Sequence, residues 1–414
     1  MTLREALDTR DNALNFVRLV LAGLVIVSHT WPAGGFGKDP HVGDLTLGSW
    51  AVAGFFAISG YLVTGSRMHL SLGQFAARRV LRIFPGFWVC LLVVAFVFAP
   101  VAALVSGAPF DLAAAASFIW SNATTVITQW GIGGELGHAP SPHVWDASLW
   151  TLSNEVACYV VAGLVLCFGW ARRDVTRAAV AAFVALTVFN VAGAQIGLLR
   201  GRTELVDFPR LAVYFAAGSL LWSLRGRVTV NRWAVLGSVG AVVLFAGLGV
   251  VDLVGALPLA YLVLAFGGWC PTRWGARRDL SYGVYVYAWP VQQSLVLAGV
   301  ARFGPAVLMA AAVACVVPLA WLSWTLVERP ALGLVRHRSP VAALAQAGLH
   351  RGAASGSGHG PAEAVVTLDL PQRQWCGNAT CGDDGEGKHR EFDGHRKSGG
   401  VDLYPGGARA EHTE

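Results

Sequence analysis

Ten apolar stretches, most of them about twenty residues long, follow one another through the first 330 residues of the chain. A helix needs roughly 20 mostly apolar residues to cross the hydrocarbon core of a bilayer. The pattern therefore predicts an all-α, polytopic transmembrane helical bundle of about ten helices. The predicted spans are residues 13–31, 48–66, 81–104, 147–169, 178–198, 208–224, 232–251, 253–270, 280–300 and 305–327.

Composition supports a membrane protein. Hydrophobic residues make up 55% of the 414 residues and charged residues only 14%, against about 25% charged in a typical soluble domain. A soluble domain cannot bury this much apolar surface, because its surface grows too steeply with size. We expect the lipid bilayer as the surroundings of the chain and no nucleic-acid partner.

The two ends of the chain need separate interpretations. The run before His29 has the length of a cleavable signal peptide, but Arg18 interrupts it and no clear cleavage site follows, so we expect it to be retained. From residue 339 onward Gly, Ser, His, Asp and Arg dominate, which predicts a disordered cytoplasmic tail, residues 339–414. We therefore divide the chain into a transmembrane domain, residues 1–338, and this tail. Its cysteines and histidines do not have the spacing of a zinc site, and we predict no metal.

Arginines in alternate loops predict the orientation. One set of loops holds clusters of arginines and the other set holds few basic residues. Because basic loops stay in the cytoplasm, we predict a multi-pass protein of the bacterial inner membrane with both termini cytoplasmic. The intervening region, residues 105–146, carries Trp120 and Trp130, and we expect a helix lying along the membrane interface there. The clusters are Arg67, Arg78 and Arg79; Arg172, Arg173 and Arg177; Arg225, Arg227 and Arg232; Arg273, Arg277 and Arg278.

Arg18 and His29 lie in the first apolar segment, eleven positions apart. Eleven helical residues make three turns plus about 20°, so the two side chains share one face, about 16 Å apart along the axis. Ionisable residues in a membrane helix cost free energy, so they indicate function. His29 is the candidate general base.

A polar stripe opens the fourth segment, where Ser148, Thr151, Glu155 and Tyr159 recur at three-to-four spacing. With a cytoplasmic N-terminus, Glu155 lies at a depth comparable to that of His29. A carboxylate beside an imidazole orients the ring, as a general base requires. The alternative is that Glu155 satisfies the backbone or a serine at a hydrated helix end.

Arg79 and Arg82 lie one turn apart at the cytoplasmic start of the third segment. Guanidinium groups bind phosphate oxygens through two parallel hydrogen bonds, and a helix N-terminus also favours an anion. The alternative is that these arginines only fix the topology of the helix.

Two further segments carry patterned faces. In the second, Ala53, Gly54, Ala57 and Gly60 permit close approach of another helix. The ninth carries polar and aromatic residues that line a cavity or, alternatively, form an interfacial aromatic belt. They are Ser281, Tyr282, Tyr285 and Trp289.

Six segments, in chain order, resemble motifs of the membrane-bound acyltransferase-3 family. They are Arg18 with His29; Phe55 to Tyr61; Arg79, Arg82 and Pro85; Trp150 to Glu155; Ser281, Tyr282 and Tyr285 with Pro290; and Glu328 to Pro330. The resemblance covers about residues 10–335. Where the family often has a histidine in the ninth helix, this chain has Ala288, which leaves His29 as the histidine of interest.

The resemblance implies an integral membrane O-acyltransferase that moves acetyl from acetyl-CoA, or another acyl group from an acyl-CoA, to a carbohydrate hydroxyl. The carbohydrate acceptor would be at the cell surface or exported, such as a lipopolysaccharide or exopolysaccharide. In this interpretation His29 and Glu155 are catalytic, while Arg18, Arg79 and Arg82 bind the acyl-CoA donor or, for Arg18, a buried carboxylate. Substrate contacts are expected from Trp150, Ser153, Ser281, Tyr282 and Tyr285.

Several alternatives stay open at this point. The acyl group either passes directly to the acceptor or forms a covalent acyl-histidine first. The acceptor is alternatively a small secreted glycoside or an antibiotic. A different class of function, a proton-coupled transporter or a flippase, also uses buried Arg, His and Glu, although no inverted repeat is seen in the sequence.

Overall fold

The structure, a computed structural model, describes residues 1–8, 12–195, 203–270, 272 and 278–336. Most of these residues are helical, and their strands are one short antiparallel pair, β1 His41–Val42 with β2 Leu45–Thr46. The predicted helical class is therefore confirmed. The predicted disordered tail lies outside the described residues.

The described residues of the first half form eight helices, together with a π-helical turn, Val94–Phe98, that makes Leu72–Ser106 one continuous helical stretch. They are α1 Leu3–Leu7, α2 Leu14–Gly34, α3 Leu47–His69, α4 Leu72–Val93, α5 Ala99–Ser106, α6 Leu112–Ser121, α7 Trp150–Val165 and α8 Gly169–Arg173. A short helix, α6, thus lies in the region where we expected an interfacial one.

The second half of the described chain forms a further eight helices. They are α9 Val175–Gln195, α10 Thr203–Ser223, α11 Arg232–Gly247, α12 Val251–Val254, α13 Ala256–Trp269, α14 Ser281–Leu297, α15 Pro305–Ser323 and α16 Arg329–Arg336. A 3-10 turn, Val300–Phe303, precedes α15, and a π-helical turn, Trp324–Glu328, joins α15 to α16.

Within the described residues, five helical stretches are long and apolar enough to cross a membrane, so the predicted count of ten is not confirmed. The helices α7, α11, α13 and α14 have between 14 and 17 residues, fewer than the roughly 20 that a perpendicular crossing needs. The predicted runs also included turn residues, such as 147–149 before α7. The five are Leu14–Gly34, Leu47–His69, Leu72–Ser106, Val175–Gln195 and Pro305–Leu334.

Helix α11 presents apolar side chains on its exposed surface. Leu236, Val243 and Leu244 of α11 are exposed, and α11 has no buried residue. Extended exposed apolar surface is unfavourable in water, whereas lipid hydrocarbon solvates it well. The surface therefore agrees with a membrane protein.

Glycines bring the backbones of α3 and α10 into close contact. A Cβ atom at Gly60 would lie 1.9 Å from the carbonyl oxygen of Phe215, and one at Gly218 would lie 2.0 Å from that of Ala57. No larger residue fits at either position without separating the helices. The predicted role of the small residues of the second segment in helix packing is confirmed.

Local sequence sets the helix ends near the polar interior. Thr46 begins α3, because its hydroxyl accepts a hydrogen bond from the Ser49 backbone N–H at 3.0 Å. Gly35 ends α2 in the left-handed conformation, with φ of 74°. Helix α2 then packs against α3 and α14, while α7 contacts α3 and α4. Polar residues of these helices therefore face a common interior.

Candidate active site

A buried ion cluster lies where α2, α4, α14 and the end of α15 meet. The guanidinium groups of Arg18 and Arg82 both bind the same carboxylate oxygen, Oδ2 of Asp279, with Arg82 Nη2 at 2.5 Å. Arg82 also binds Glu328, with 3.0 Å between Nη1 and Oε2. Charges removed from water are stable only when they are paired in this way.

Sequence reasoning did not include Asp279 and Glu328 among the site residues. Each is held by a neighbouring serine: Ser281 donates to Asp279 Oδ1 at 2.5 Å, and Ser323 donates to Glu328 Oε1 at 3.1 Å. In the sequence, Asp279 could have been found as the acidic residue directly before the ninth segment, and Glu328 as the first residue of the Glu-Arg-Pro motif. Ser281, a predicted substrate contact, is therefore engaged by Asp279.

The cluster changes how the predicted donor-binding arginines are interpreted. Burial would raise the pKa of the Asp279 carboxyl, but the charges of Arg18 and Arg82 outweigh it and hold the pKa below its ordinary value. Asp279 is thus ionised, and its negative charge compensates the positive charges of Arg18 and Arg82. A phosphate of the donor would therefore meet less positive charge at these two arginines. Arg18 holds a buried carboxylate, which is the second of the two roles predicted for it.

Arg79 has different surroundings from the other two predicted arginines. Its guanidinium lies 5.7 Å from the ring centroid of Phe75 and 5.5 Å from that of Tyr159, within the range of cation–π contacts. Its Nε is buried without a hydrogen-bond partner in the protein. It lines an apolar groove of about 240 Å³ between α4 and α7. Among the described residues, no carboxylate pairs with Arg79.

Glu155 lies at the centre of a small polar group on α3 and α7. Its Oε1 accepts hydrogen bonds from Ser59 at 2.8 Å and from Tyr159 at 2.5 Å. The side chain lines a small cavity of about 30 Å³, together with Arg18 and Tyr282. Glu155 therefore lies on the side of the interior that faces the ion cluster.

His29 lines a larger and more polar cavity of about 280 Å³. Its ring makes an edge-to-face contact with Trp289, at 5.0 Å between centroids. Its Nδ1 is buried and has no hydrogen-bond partner in the protein. That nitrogen is therefore not engaged by another residue, and the imidazole borders the cavity in which a general base would act.

The structure does not bring Glu155 into contact with His29, and no hydrogen bond or ion pair joins them. The reason is helical geometry: Thr151 reaches the His29 cavity, and Glu155 lies one turn farther along α7. The predicted assistance of the imidazole by Glu155 stays a prediction, without a direct contact to support it.

Thr151 and Tyr285 stand between the two cavities, and both side chains line each of them. The Tyr285 hydroxyl lies 2.5 Å from Thr151 Oγ1 and donates to the backbone carbonyl of Ser148 at 2.8 Å. The ring of Phe55 packs edge-on against Tyr285, at 5.9 Å between centroids. A hydrogen-bonded pair thus separates the Glu155 side of the interior from the His29 side.

The remaining predicted substrate contacts divide between the two sides. Trp150 lines the His29 cavity, and Tyr282 lines the Glu155 cavity while donating to the Ile83 carbonyl at 2.7 Å. The Ser153 hydroxyl donates to the Trp150 carbonyl at 2.8 Å, inside its own helix. Ser153 lines neither cavity.

Several residues that line the His29 cavity carry buried polar atoms without a hydrogen-bond partner in the protein. Besides His29 Nδ1, three buried atoms of lining residues lack a partner in the protein: Asp39 Oδ1, Ser148 Oγ and Arg210 Nε. A buried polar group without a partner costs roughly 1–3 kcal/mol. The cavity therefore suits a ligand with several hydroxyl groups. No group of three metal-ligating side chains occurs in the part of the chain that the structure describes.

The chain is similar to known proteins over most of its length. The family model of the acyltransferase-3 type, described as an acyltransferase domain, matches residues 11–325. An O-acetyl transferase of Shigella phage Sf6 is 29% identical over 335 residues, which cover 77% of this chain and 96% of that protein. Nodulation protein 10 of Rhizobium leguminosarum bv. viciae is 29% identical over 359 residues, covering 78% and 94%. No solved structure matches the chain.

Proposed function

Because the chain belongs to the acyltransferase-3 family and is an O-acetyltransferase, we propose that it moves acetyl from acetyl-CoA to a carbohydrate hydroxyl. The observation that carries this proposal is the His29 cavity. It combines an imidazole nitrogen that has no protein partner with several unpaired polar groups, and it shares Val52, Thr151 and Tyr285 with the cavity on the Glu155 side.

In this proposal the donor approaches from the end of the bundle that holds the ion cluster. Arg79 offers a guanidinium without a carboxylate partner to a phosphate of the donor, while Arg18 and Arg82 shape the entrance through Asp279. The thioester end then reaches the Thr151–Tyr285 pair. With the predicted orientation, this entrance faces the cytoplasm, both termini are cytoplasmic, and the protein lies in the bacterial inner membrane.

The chemical step takes place on the His29 side. The imidazole accepts the proton of the acceptor hydroxyl, and the oxygen forms a bond to the thioester carbonyl carbon. The carbon–sulfur bond then breaks, and the CoA thiolate takes the proton from the imidazolium. In this scheme Glu155 lies on the donor side, and its effect on His29 is indirect.

The test uses the full-length protein in membranes, with acetyl-labelled acetyl-CoA and a set of glycosides. We expect His29→Ala to lose transfer to the acceptor while keeping its abundance in the membrane. His69→Ala is the matched control, because His69 is an exposed histidine at the end of α3 and lines neither cavity. Undiminished transfer by His29→Ala would remove His29 from the mechanism.

The same assay separates the transporter or flippase alternative. A carrier would move solute across the membrane without consuming the thioester. Labelled product that requires both acetyl-CoA and a glycoside would support the proposed transfer. Solute movement without labelled product would contradict it.

A further inference from the structure

Among the described residues, acidic side chains outnumber basic ones on the wall of the His29 cavity. Asp39 and Asp252 line it, and so does one basic residue that is charged at neutral pH, Arg210. Lys38 is next to Asp39 in the chain, but its side chain is exposed and does not line the cavity. His41, in the exposed strand β1, is the other basic neighbour of Asp39.

The positive charge of Arg210 is already compensated. Its Nη2 lies 2.9 Å from Asp207 Oδ1, and its Nη1 lies 3.5 Å from Asp252 Oδ2. Burial raises the pKa of Asp252 to about 6, which leaves it mostly ionised at neutral pH. Within the described residues, Asp207 and Asp252 therefore bring two carboxylates to one arginine, and this group carries no net positive charge.

Asp39 adds a carboxylate that no arginine neutralises. Its Oδ1 is buried without a protein partner, and the residue has no ion pair within the described part of the chain. Burial raises the pKa of the Asp39 carboxyl, while nearby His41 and a hydrogen bond with Ser28 favour the ionised form. A carboxylate oxygen accepts hydrogen bonds from a sugar hydroxyl or an ammonium group. The same oxygen repels an anionic substituent, by a factor of about ten in affinity at roughly 7 Å in a partly hydrated site.

From this charge distribution, and on the basis of the proposed function, we propose that the His29 cavity selects acceptors that are neutral or carry an amine. Acceptors that carry a carboxylate or another anionic group are disfavoured. Asp39 and Asp252 are the specificity-determining residues in this proposal, and Arg210 holds Asp252 in place.

The experiment measures binding and transfer separately on the purified full-length protein. The probes are three sugars of similar size: methyl glucoside, methyl glucosaminide and methyl glucuronide. Binding is measured by saturation-transfer NMR without donor, and transfer with labelled acetyl-CoA. We expect the glucuronide to bind about tenfold more weakly than the glucoside, and the glucosaminide at least as tightly as the glucoside.

The charge variant Asp39→Asn keeps the size of the side chain and removes its charge. We expect it to reduce the preference for glucoside over glucuronide by about threefold to tenfold. Asp252→Asn should act in the same direction. Asp174→Asn is the matched control: Asp174 forms an exposed ion pair with Arg177 and lies outside the cavity, so the preference should not change.

The outcomes separate the two proposals. Equal binding of glucoside and glucuronide to the unmodified protein would overturn the charge selection, as would an unchanged preference in both Asp39→Asn and Asp252→Asn. A preference that Asp174→Asn reduces equally would also overturn it, because a general charge effect would then explain the result. Charge-selective binding without any acetyl transfer would support the selection and contradict the proposed function.

Discussion

Removal of the Asp279 carboxylate tests whether the buried ion cluster holds the bundle together. In Asp279→Asn the charge that both Arg18 and Arg82 bind is lost. Arg82 still has Glu328 at 3.0 Å, but Asp279 is the one ion-pair partner recorded for Arg18 within the described residues. An uncompensated buried charge costs about 3–5 kcal/mol, so we expect a large loss of stability.

A second substitution identifies which charge causes the loss. In the Asp279→Asn background, Arg18→Gln removes the charge that has lost its partner and should recover a large part of the stability. Arg82→Gln in the same background should not, because Glu328, at 1% exposure, would then lose its guanidinium partner. The coupling between positions 18 and 279 should exceed about 1 kcal/mol, in the range measured for residues in contact.

Thermal unfolding of the full-length protein in detergent micelles measures these changes. Unfolding of membrane proteins is commonly irreversible, so all variants are compared at one scan rate. If Arg18→Gln destabilises the Asp279→Asn protein as much as it destabilises the unmodified protein, the two residues are not coupled. That result would refute the assignment of the cluster as a stabilising ion network.

Three further predictions concern packing, the passage between the cavities and pH. Gly60→Ala should lower the melting temperature by several degrees, because its Cβ would lie 1.9 Å from the Phe215 carbonyl oxygen. The control is Gly73→Ala, whose Cβ would have no atom within 4 Å and which should not lower the melting temperature. Equal melting temperatures of the two variants would contradict the close packing. Tyr285→Phe should lower kcat for acetyl transfer about tenfold, a loss of roughly 1.4 kcal/mol, because it removes the hydrogen bonds to Thr151 and Ser148. The control is Tyr261→Phe, which removes a hydroxyl that is hydrogen-bonded to the Thr229 carbonyl elsewhere in the protein. Equal kcat values of the two variants would contradict the role of Tyr285. Burial raises the pKa of Asp252 from 3.8 to about 6, so the folded state binds the proton more tightly and the contribution of Asp252 to stability falls as pH rises between these values. Melting curves of Asp252→Asn should therefore depend less on pH in that window, and an unchanged slope would contradict the shift.

Helical periodicity explains why part of the site was predictable. Arg18 and His29 lie on one helix, and the structure places each beside one of two neighbouring cavities that share Thr151 and Tyr285. The small residues of α3 were also interpreted correctly, because spacing along one helix decides which residues share a face. The number of membrane crossings was less predictable, because apolar runs continue into turns and the helices α7, α11, α13 and α14 are short.

The amino-acid sequence by itself determined the helical class, the membrane setting and several of the charged residues of the interior, but not Asp279 or Glu328. Only the tertiary structure decided the partners of those residues: Asp279 for Arg18, Ser59 for Glu155 and Trp289 for His29. Periodicity is a local property of one helix, whereas a contact between helices depends on their relative rotation and depth. For the same reason, the acidic wall of the His29 cavity became visible only when loops and helices far apart in the chain were placed together.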